Sequence, residues 1–457
     1  MRFESVNPAT GEVLETFEAF STSQIEAALD QARSAFRDWR RRSFAERGDA
    51  LRKVAAYLRA HKAPLARFAT LEMGKPIGEA EAEIEKCAWN CEFYAERAEA
   101  MLADEPVTTS ATQSYVSYLP LGPVLAVMPW NYPFWQVLRF AAPALMAGNV
   151  ALLKHASNVS RCALEIERVF RECGLPDGVF QTLLVPGSEV DRIIGDRRIA
   201  AVTLTGSDPA GQAVGGAAGR ALKTSVLELG GSDAFIVLED ADLDAAAKIG
   251  VRARFQNTGQ SCIAAKRFIV VEEVAQAFVE RFVAEAAALR VGDPLDPATQ
   301  IGPVARADLR DALHDQVQRS VAEGAQVALG GYALDGPGAF YQPTVLTGVT
   351  PAMPAFHEET FGPVAAVTSA RDEREAIALA NDSQFGLGGN LWTGDVERGK
   401  RLAREIESGG VFINGMTASD PRLPFGGVKR SGYGRELSVF GIREFVNVQT
   451  VWIGPVR

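Results

Sequence analysis

The sequence predicts an α/β fold built on parallel sheets. Two observations predict it, and a third adds a small β element. From Val124 onward, short apolar runs alternate with helical stretches, the pattern of a parallel sheet covered on both faces. A second series of the same kind begins after Leu229-Gly-Gly-Ser232. Thr108 to Tyr118 and the tail after Glu444 stand apart with strand composition. The first of these is too polar for a buried central strand and reads as an edge or interface hairpin. At about 150 residues per domain, 457 residues suit about three domains or lobes.

The elements follow in order. Ser23-Gln-Ile-Glu26 fits a capping box. Ile25, Ala28, Leu29, Ala32, Ala35, Phe36 and Trp39 then recur at helical spacing. Leu51, Val54 and Leu58 mark a second helix, and Glu79 to Met101 reads as a third. In the first α/β series the strands are Val124–Met128, 149–154, 179–185 and 199–205, with a helix near Ala163 to Cys173. In the second they are 234–238, 267–271 and 411–414, with helices at 243–255, 274–289 and 306–323. No internal repeat or low-complexity segment interrupts the chain.

Hydrophobic residues make up 47% and charged residues 23%, which excludes a disordered chain, a collagen and a coiled coil. Lys and Arg number 47 against 57 Asp and Glu, a net charge of −10. That balance argues against nucleic-acid and anionic-membrane partners, while leaving room for a local basic pocket. Five cysteines are too few for a disulfide framework. The most apolar region, Tyr118 to Trp135, is broken by Pro120, Pro123, Pro129 and Pro133, which a membrane helix would not tolerate. No basic segment followed by an apolar run opens the chain. The expectation is a cytoplasmic protein in a reducing compartment.

Four motifs carry chemistry. Asn257-Thr-Gly-Gln-Ser-Cys262 puts a cysteine in a turn where free backbone amides favour the thiolate; the alternative is an inert buried cysteine. Glu228-Leu-Gly-Gly231 puts a carboxylate at a strand end beside two glycines, where a ligand can reach a general base; the alternative is a solvated turn glutamate. Pro129-Trp-Asn-Tyr-Pro133 fixes Asn131, a neutral donor suited to a developing oxyanion; the alternative is an ordinary proline turn. Thr205-Gly-Ser-Asp-Pro209 ends a strand and opens a helix, with Ser207 or Asp208 as cap and Pro209 at the first position, a phosphate-binding arrangement. There is no GxGxxG, no Walker A and no GxSxG, and the four histidines lack metal-ligand spacing.

Together these motifs resemble the aldehyde dehydrogenase superfamily in order and approximate spacing. Lys154, Glu359-Thr-Phe-Gly-Pro363 and Pro424-Phe-Gly-Gly427 complete the set, and the likeness runs from Asn7-Pro-Ala-Thr-Gly11 to the tail. It implies a Rossmann-like cofactor domain over 1–104 and 121–228, and an α/β catalytic domain over 229–438. It also implies an oligomerisation element over 105–120 and 439–457, making homodimers or homotetramers. Cys262 would attack an aldehyde, Asn131 and the Cys262 amide would hold the oxyanion, and Glu228 would activate water to release a free acid. Trp130, Lys154, Ser157, Thr205, Gly206, Ser207, Leu229, Glu359 and Phe361 would bind the cofactor.

Where the family's NAD-preferring pattern has a glutamate three residues after the lysine, this chain has Ser157. A glutamate about 4 Å from a 2′-phosphate would cost roughly 4 kcal/mol per charge pair at an effective dielectric of 20. Ser157 removes that repulsion, so NADP is expected and preferred, with NAD possible. Arg139, eight residues after Asn131, and Ser419, five before Pro424, resemble the substrate residues of succinate-semialdehyde dehydrogenases. A guanidinium and a hydroxyl suit a substrate carboxylate. Trp135, Ser261 and Phe425 would wall the pocket. Further arginines of some such enzymes are missing, because Ile-Ala-Ala-Lys266-Arg267 follows Cys262. Other ω-carboxy or plain aliphatic aldehydes therefore stay open, as do a thiol esterase and a non-catalytic binding protein. With Ser261, Ile263, Ala264 and Ala265 beside Cys262, no local disulfide switch is expected.

Overall fold

A computed structural model describes residues 1–455. Val456 and Arg457, the end of the expected oligomerisation tail, lie outside the described residues. A six-stranded sheet runs in the order Gly432–Tyr433, Thr224–Glu228, Ala201–Thr205, Pro123–Met128, Val150–His155, Phe180–Thr182. Its last five strands are parallel. A seven-stranded sheet runs Gln326–Leu329, Thr344–Thr347, Val364–Ala370, Ala265–Val271, Asp233–Val237, Gly388–Trp392, Gly410–Ile413. Only its first pair is antiparallel.

The strands are short and almost fully apolar because helices cover both faces. The helices Leu243–Phe255 and Glu272–Ala287 meet one face of the larger sheet through Phe235, Phe268, Phe278 and Phe282. The helix Glu373–Asn381 covers the other. The six-stranded sheet shares one continuous core with the helices Thr22–Trp39, Phe44–Ala60, Lys62–Met73, Ile77–Met101 and Trp135–Ala147. Within the expected catalytic range, Gly432–Tyr433 crosses over to pair antiparallel with Thr224–Glu228. The two sheets are thus stitched by the chain that returns late in the sequence.

Several expectations shift. The capping box at the first helix is Ser21 with Gln24, not Ser23 with Glu26. Ser21 is the last extended residue and Gln24 reaches back to its amide at 2.8 Å. Glu26 is instead paired with Arg192 and Arg198. Lys62–Met73 is a helix that the sequence reading passed over, ended by Gly74 at φ +81°. Thr108 to Tyr118 falls in a hairpin, but not at the sheet edge: Gln113–Pro120 folds back on Glu105–Pro106 and is the middle strand between it and Val446–Ile453. No helix among the described residues is long and apolar enough to cross a membrane.

Candidate active site

The loop that carries Cys262 is held in a conformation that most residues avoid. After the Leu243–Phe255 helix, Asn257, Thr258 and Gly259 all have φ between +55° and +72°. For a β-branched residue such as Thr258 this is strained, and it persists only where surroundings over-determine it. Here they do. Glu79 accepts the Asn257 amide at 2.6 Å, and Asn257 Nδ2 donates to the carbonyls of Asn131 at 2.9 Å and Gln260 at 3.0 Å. Thr258 Oγ1 accepts the Gly302 amide at 3.0 Å. Buried Arg254 donates to the carbonyls of Gly259 and Thr360. Buried Lys266 donates to the carbonyls of Ser261 at 2.8 Å and Cys262 at 2.9 Å.

Asn131 is fastened to the same loop, its Nδ2 donating to the Gln260 carbonyl at 3.1 Å. An amide nitrogen carries two hydrogens, so one remains for an oxyanion. The neighbouring helix Trp135–Ala147 starts on Glu83, whose Oε1 accepts the amides of Phe134 and Trp135, both at 2.8 Å. Glu83 is itself ion-paired with buried Lys75. A carboxylate at a helix N-terminus satisfies orphan amides and the helix dipole together.

Cys262 opens into a cavity of about 980 Å³. Ser261, Trp135, Arg139, Ser419 and Phe425, all the expected substrate residues, line it together with Cys262. Arg139 departs from expectation in one respect. Its guanidinium is ion-paired with buried Glu436, lies 4.6 Å from the Phe425 ring centre and donates to Thr205 Oγ1 at 3.3 Å. Its charge is therefore already matched. Thr205 departs too: its hydroxyl is buried against Arg139 rather than turned toward a nucleotide. Ser419 Oγ accepts from Lys86 Nζ at 2.6 Å.

Burial pushes the Cys262 thiol up to about 12, opposed by Arg139 and Lys266. The turn's amides do not make it a standing thiolate, contrary to the sequence expectation. Glu228 is buried, and neither carboxyl oxygen has a hydrogen-bond partner among the described residues. Desolvation and the nearby Glu436 carboxyl hold its pKa well above the usual carboxylate range. The side chain is packed against Gly426, whose missing Cβ would fall 2.8 Å from Glu228 Oε1.

On the far side of the loop lies a second set of groups. Trp130 and Phe361 meet edge to face at 5.7 Å. Glu359 accepts the Gly231 amide at 3.0 Å and lies 3.4 Å from Lys266 Nζ. Gly230 leaves room for the Glu359 carboxylate: a Cβ there would lie 2.5 Å from it and push it aside. Leu229 packs into the space left by Gly211 on the helix Asp208–Arg220. Gly206 donates its amide to the Glu228 carbonyl at 3.0 Å, and Ser207 caps the helix with its backbone only, so that helix N-terminus stays open. Lys154 is half-buried at the end of its strand, and Ser157 is exposed in the following turn.

Sequence reasoning missed Glu79, Glu83 and Lys86. Their spacing placed them on one helix face, but nothing marked that face as a cavity wall. It also missed Arg254 and Lys266 as braces. A lysine and an arginine at the head of the apolar run Ala265–Val271 were the available signal. Arg267 turns away from the site, to the carbonyls of Ser232, Leu379 and Ala380.

A cysteine at a cavity wall, an amide donor braced beside it and a buried carboxyl close by define a covalent-catalysis class. Sequence comparison gives the family: the aldehyde dehydrogenase profile matches residues 1–451, and the chain belongs to that family. It is 56% identical to a Synechocystis sp. protein named "Probable succinate-semialdehyde dehydrogenase", NADP(+), over 99% of this chain and all of that one. It is 54% identical to Escherichia coli Sad, named a succinate semialdehyde dehydrogenase, NAD(P)+, covering 98% of this chain and 97% of the other. A crystal structure of succinic semialdehyde dehydrogenase from Streptococcus pyogenes with NADP+ superposes with a TM-score of 0.97 at 38% identity, covering 99% and 100% of the two chains.

Proposed function

We propose that this chain oxidises succinate semialdehyde to succinate with NADP, accepting NAD less well. The observation that carries the reading is one cavity holding Cys262 together with Ser419 and the Lys86 ammonium that bonds it. An aldehyde with a terminal carboxylate matches those two ends. The relatives' names and the NADP+ complex of the Streptococcus pyogenes enzyme support it.

The residues fit the cofactor. Exposed Ser157 leaves room for a 2′-phosphate near Lys154. The open N-terminus of Asp208–Arg220 suits a pyrophosphate. Glu359, fixed by the Gly231 amide and Lys266, suits a ribose diol, and Trp130 with Phe361 makes an apolar edge. Bound NADP supplies the acceptor for the two-electron oxidation of the aldehyde carbon. The protein does the rest. The Cys262 thiol passes its proton to water in the cavity as sulfur adds to the carbonyl carbon, forming a thiohemiacetal whose oxygen carries the negative charge. The oxygen of that adduct is held by Asn131 Nδ2 and the Cys262 amide. After oxidation the carbon is a thioester, and Glu228, once it has released to water the proton that its burial retains, takes a proton from the water that hydrolyses it, and the Cys262 sulfur leaves.

The wider assembly follows the same reading. The division at 1–104 with 121–228, 229–438, and 105–120 with 439–457 is proposed for cofactor, catalytic and oligomerisation roles. Val448, Trp452 and Ile453 are exposed on the three-stranded sheet, which suits a cytoplasmic homo-oligomer joined at that element. The test is a panel of aldehydes with both cofactors, read as kcat/KM at 340 nm. Succinate semialdehyde with NADP should lead, and equal or better turnover of butanal or of NAD would overturn the reading.

A further inference from the structure

Lys86 stands on the helix Ile77–Met101, one helical face of which (Glu79, Ala82, Glu83, Lys86) lines the substrate cavity. Its Nζ is 2.6 Å from Ser419 Oγ and 4.4 Å from the Trp135 ring centre. No carboxylate among the described residues is ion-paired with it, whereas Arg139 is matched by Glu436, Lys75 by Glu83, and Asp420 by Arg422. Lys248 and Arg252 also line the cavity, but it is Lys86 that bonds Ser419, and Arg139, the cation acting on Lys86, has its charge matched by Glu436.

We infer that Lys86 is the specificity-determining cation of the carboxylate subsite, bridging Ser419 and the substrate's carboxylate while Trp135 holds its ammonium in place. The inference deepens the proposed function and rests on it. An ammonium has three donors; one is used by Ser419 and others face the cavity. The physical argument is desolvation. A substrate carboxylate entering this site must lose water, and a cation already committed to Glu436 returns little of that cost. Lys86, itself partly stripped of water, returns more.

The charge on Lys86 is conditional. Burial, and then Arg139, lower its pKa to about 8, against the weaker pull of Cys87, Asp420 and Glu83. Glu79, on the same face, titrates at about 7, so its ionisation also opposes an anion in the cavity. Above pH 8 the ammonium is lost, and preference for an anionic aldehyde over a neutral one should decline with it.

The experiment compares kcat/KM for succinate semialdehyde and for butanal in wild type, Lys86→Gln and Lys86→Arg, from pH 6 to 9.5. It adds inhibition of butanal oxidation by succinate. Lys86→Gln keeps a hydrogen bond to Ser419 without charge. It should lower the succinate-semialdehyde to butanal ratio by roughly 10- to 100-fold, mainly through KM, and weaken succinate inhibition by a similar factor. Lys86→Arg should restore most of the ratio and carry it to higher pH. An equal loss for both aldehydes in Lys86→Gln, or no change in the ratio, overturns the inference. So does a decline above pH 8 that persists in Lys86→Arg, since the contribution of Glu79 falls near pH 7. A wild type that prefers butanal yet is inhibited by succinate through Lys86 would refute the proposed substrate while leaving the subsite standing.

Discussion

Ser157 shows how little of a residue's meaning lies in the residue itself. It is exposed, beyond a half-buried lysine, and its importance is that it is not a carboxylate. Ser157→Glu should raise KM for NADP by roughly 10- to 100-fold and leave KM for NAD within a few-fold, measured by initial rates with each cofactor. Glu228 is a sharper case. Its pKa is held up in the fold by desolvation, so the folded chain binds a proton that the unfolded chain releases. This costs nothing below the ordinary carboxylate range, and stability falls as pH rises above it. Glu228→Gln should therefore flatten the decline of Tm between pH 5 and 9. It should also reduce steady-state turnover by about 10²- to 10⁴-fold, leaving a single burst of reduced cofactor. The motif residues were legible through their joint resemblance to one family in order and spacing, since Asn257-Thr-Gly-Gln-Ser-Cys262 alone left an inert buried cysteine open. The state of their protons was not, since burial is set by residues far along the chain, among them Glu436 and Gly426.

At the scale of elements, the loop that carries Cys262 is the part under tension. Gly259 has φ +72°, and a Cβ there would lie 2.3 Å from the Gly362 carbonyl oxygen. Gly259→Ala should cost about 1–3 kcal/mol in urea-denaturation free energy and lower kcat/KM more than tenfold, because the loop must move for the methyl group to fit. The helix Leu243–Phe255 was read from the sequence at its observed bounds. The strands around it were readable from apolar runs. Thr344–Thr347, Val364–Ala370 and Gly388–Trp392 escaped notice. Gly388-Gly-Asn-Leu-Trp392 looks like a loop by composition, and its glycines make sense only where a neighbour crowds in: a Cβ at Gly388 would strike Asp233 and Thr417. Such proximity has no local signature.

For the molecule as a whole, the exposed face of the three-stranded sheet sets an expectation about assembly. Val448 and Trp452 lie on one face of the strand Val446–Ile453, and both are exposed. Val448→Asp combined with Trp452→Asp should shift the solution mass by light scattering toward that of a single chain; an unchanged mass would place the oligomer contact elsewhere. That this segment is a strand was plain from its composition. Its partner was legible only through the family resemblance, which joined 105–120 with 439–457, because Gln113–Pro120 lies most of the chain away. The same separation recurs where Gly432–Tyr433 closes the edge beside Glu228, and where Asn149 Nδ2 donates to the Phe445 carbonyl at 3.0 Å. The edge beside Glu228 is thus finished by residues made about two hundred positions after it. A nascent chain holds that edge open until Gly432 and Tyr433 are made, and one terminated before them never seals it. Early truncations should accordingly be cleared or aggregate rather than persist as a free nucleotide-binding lobe.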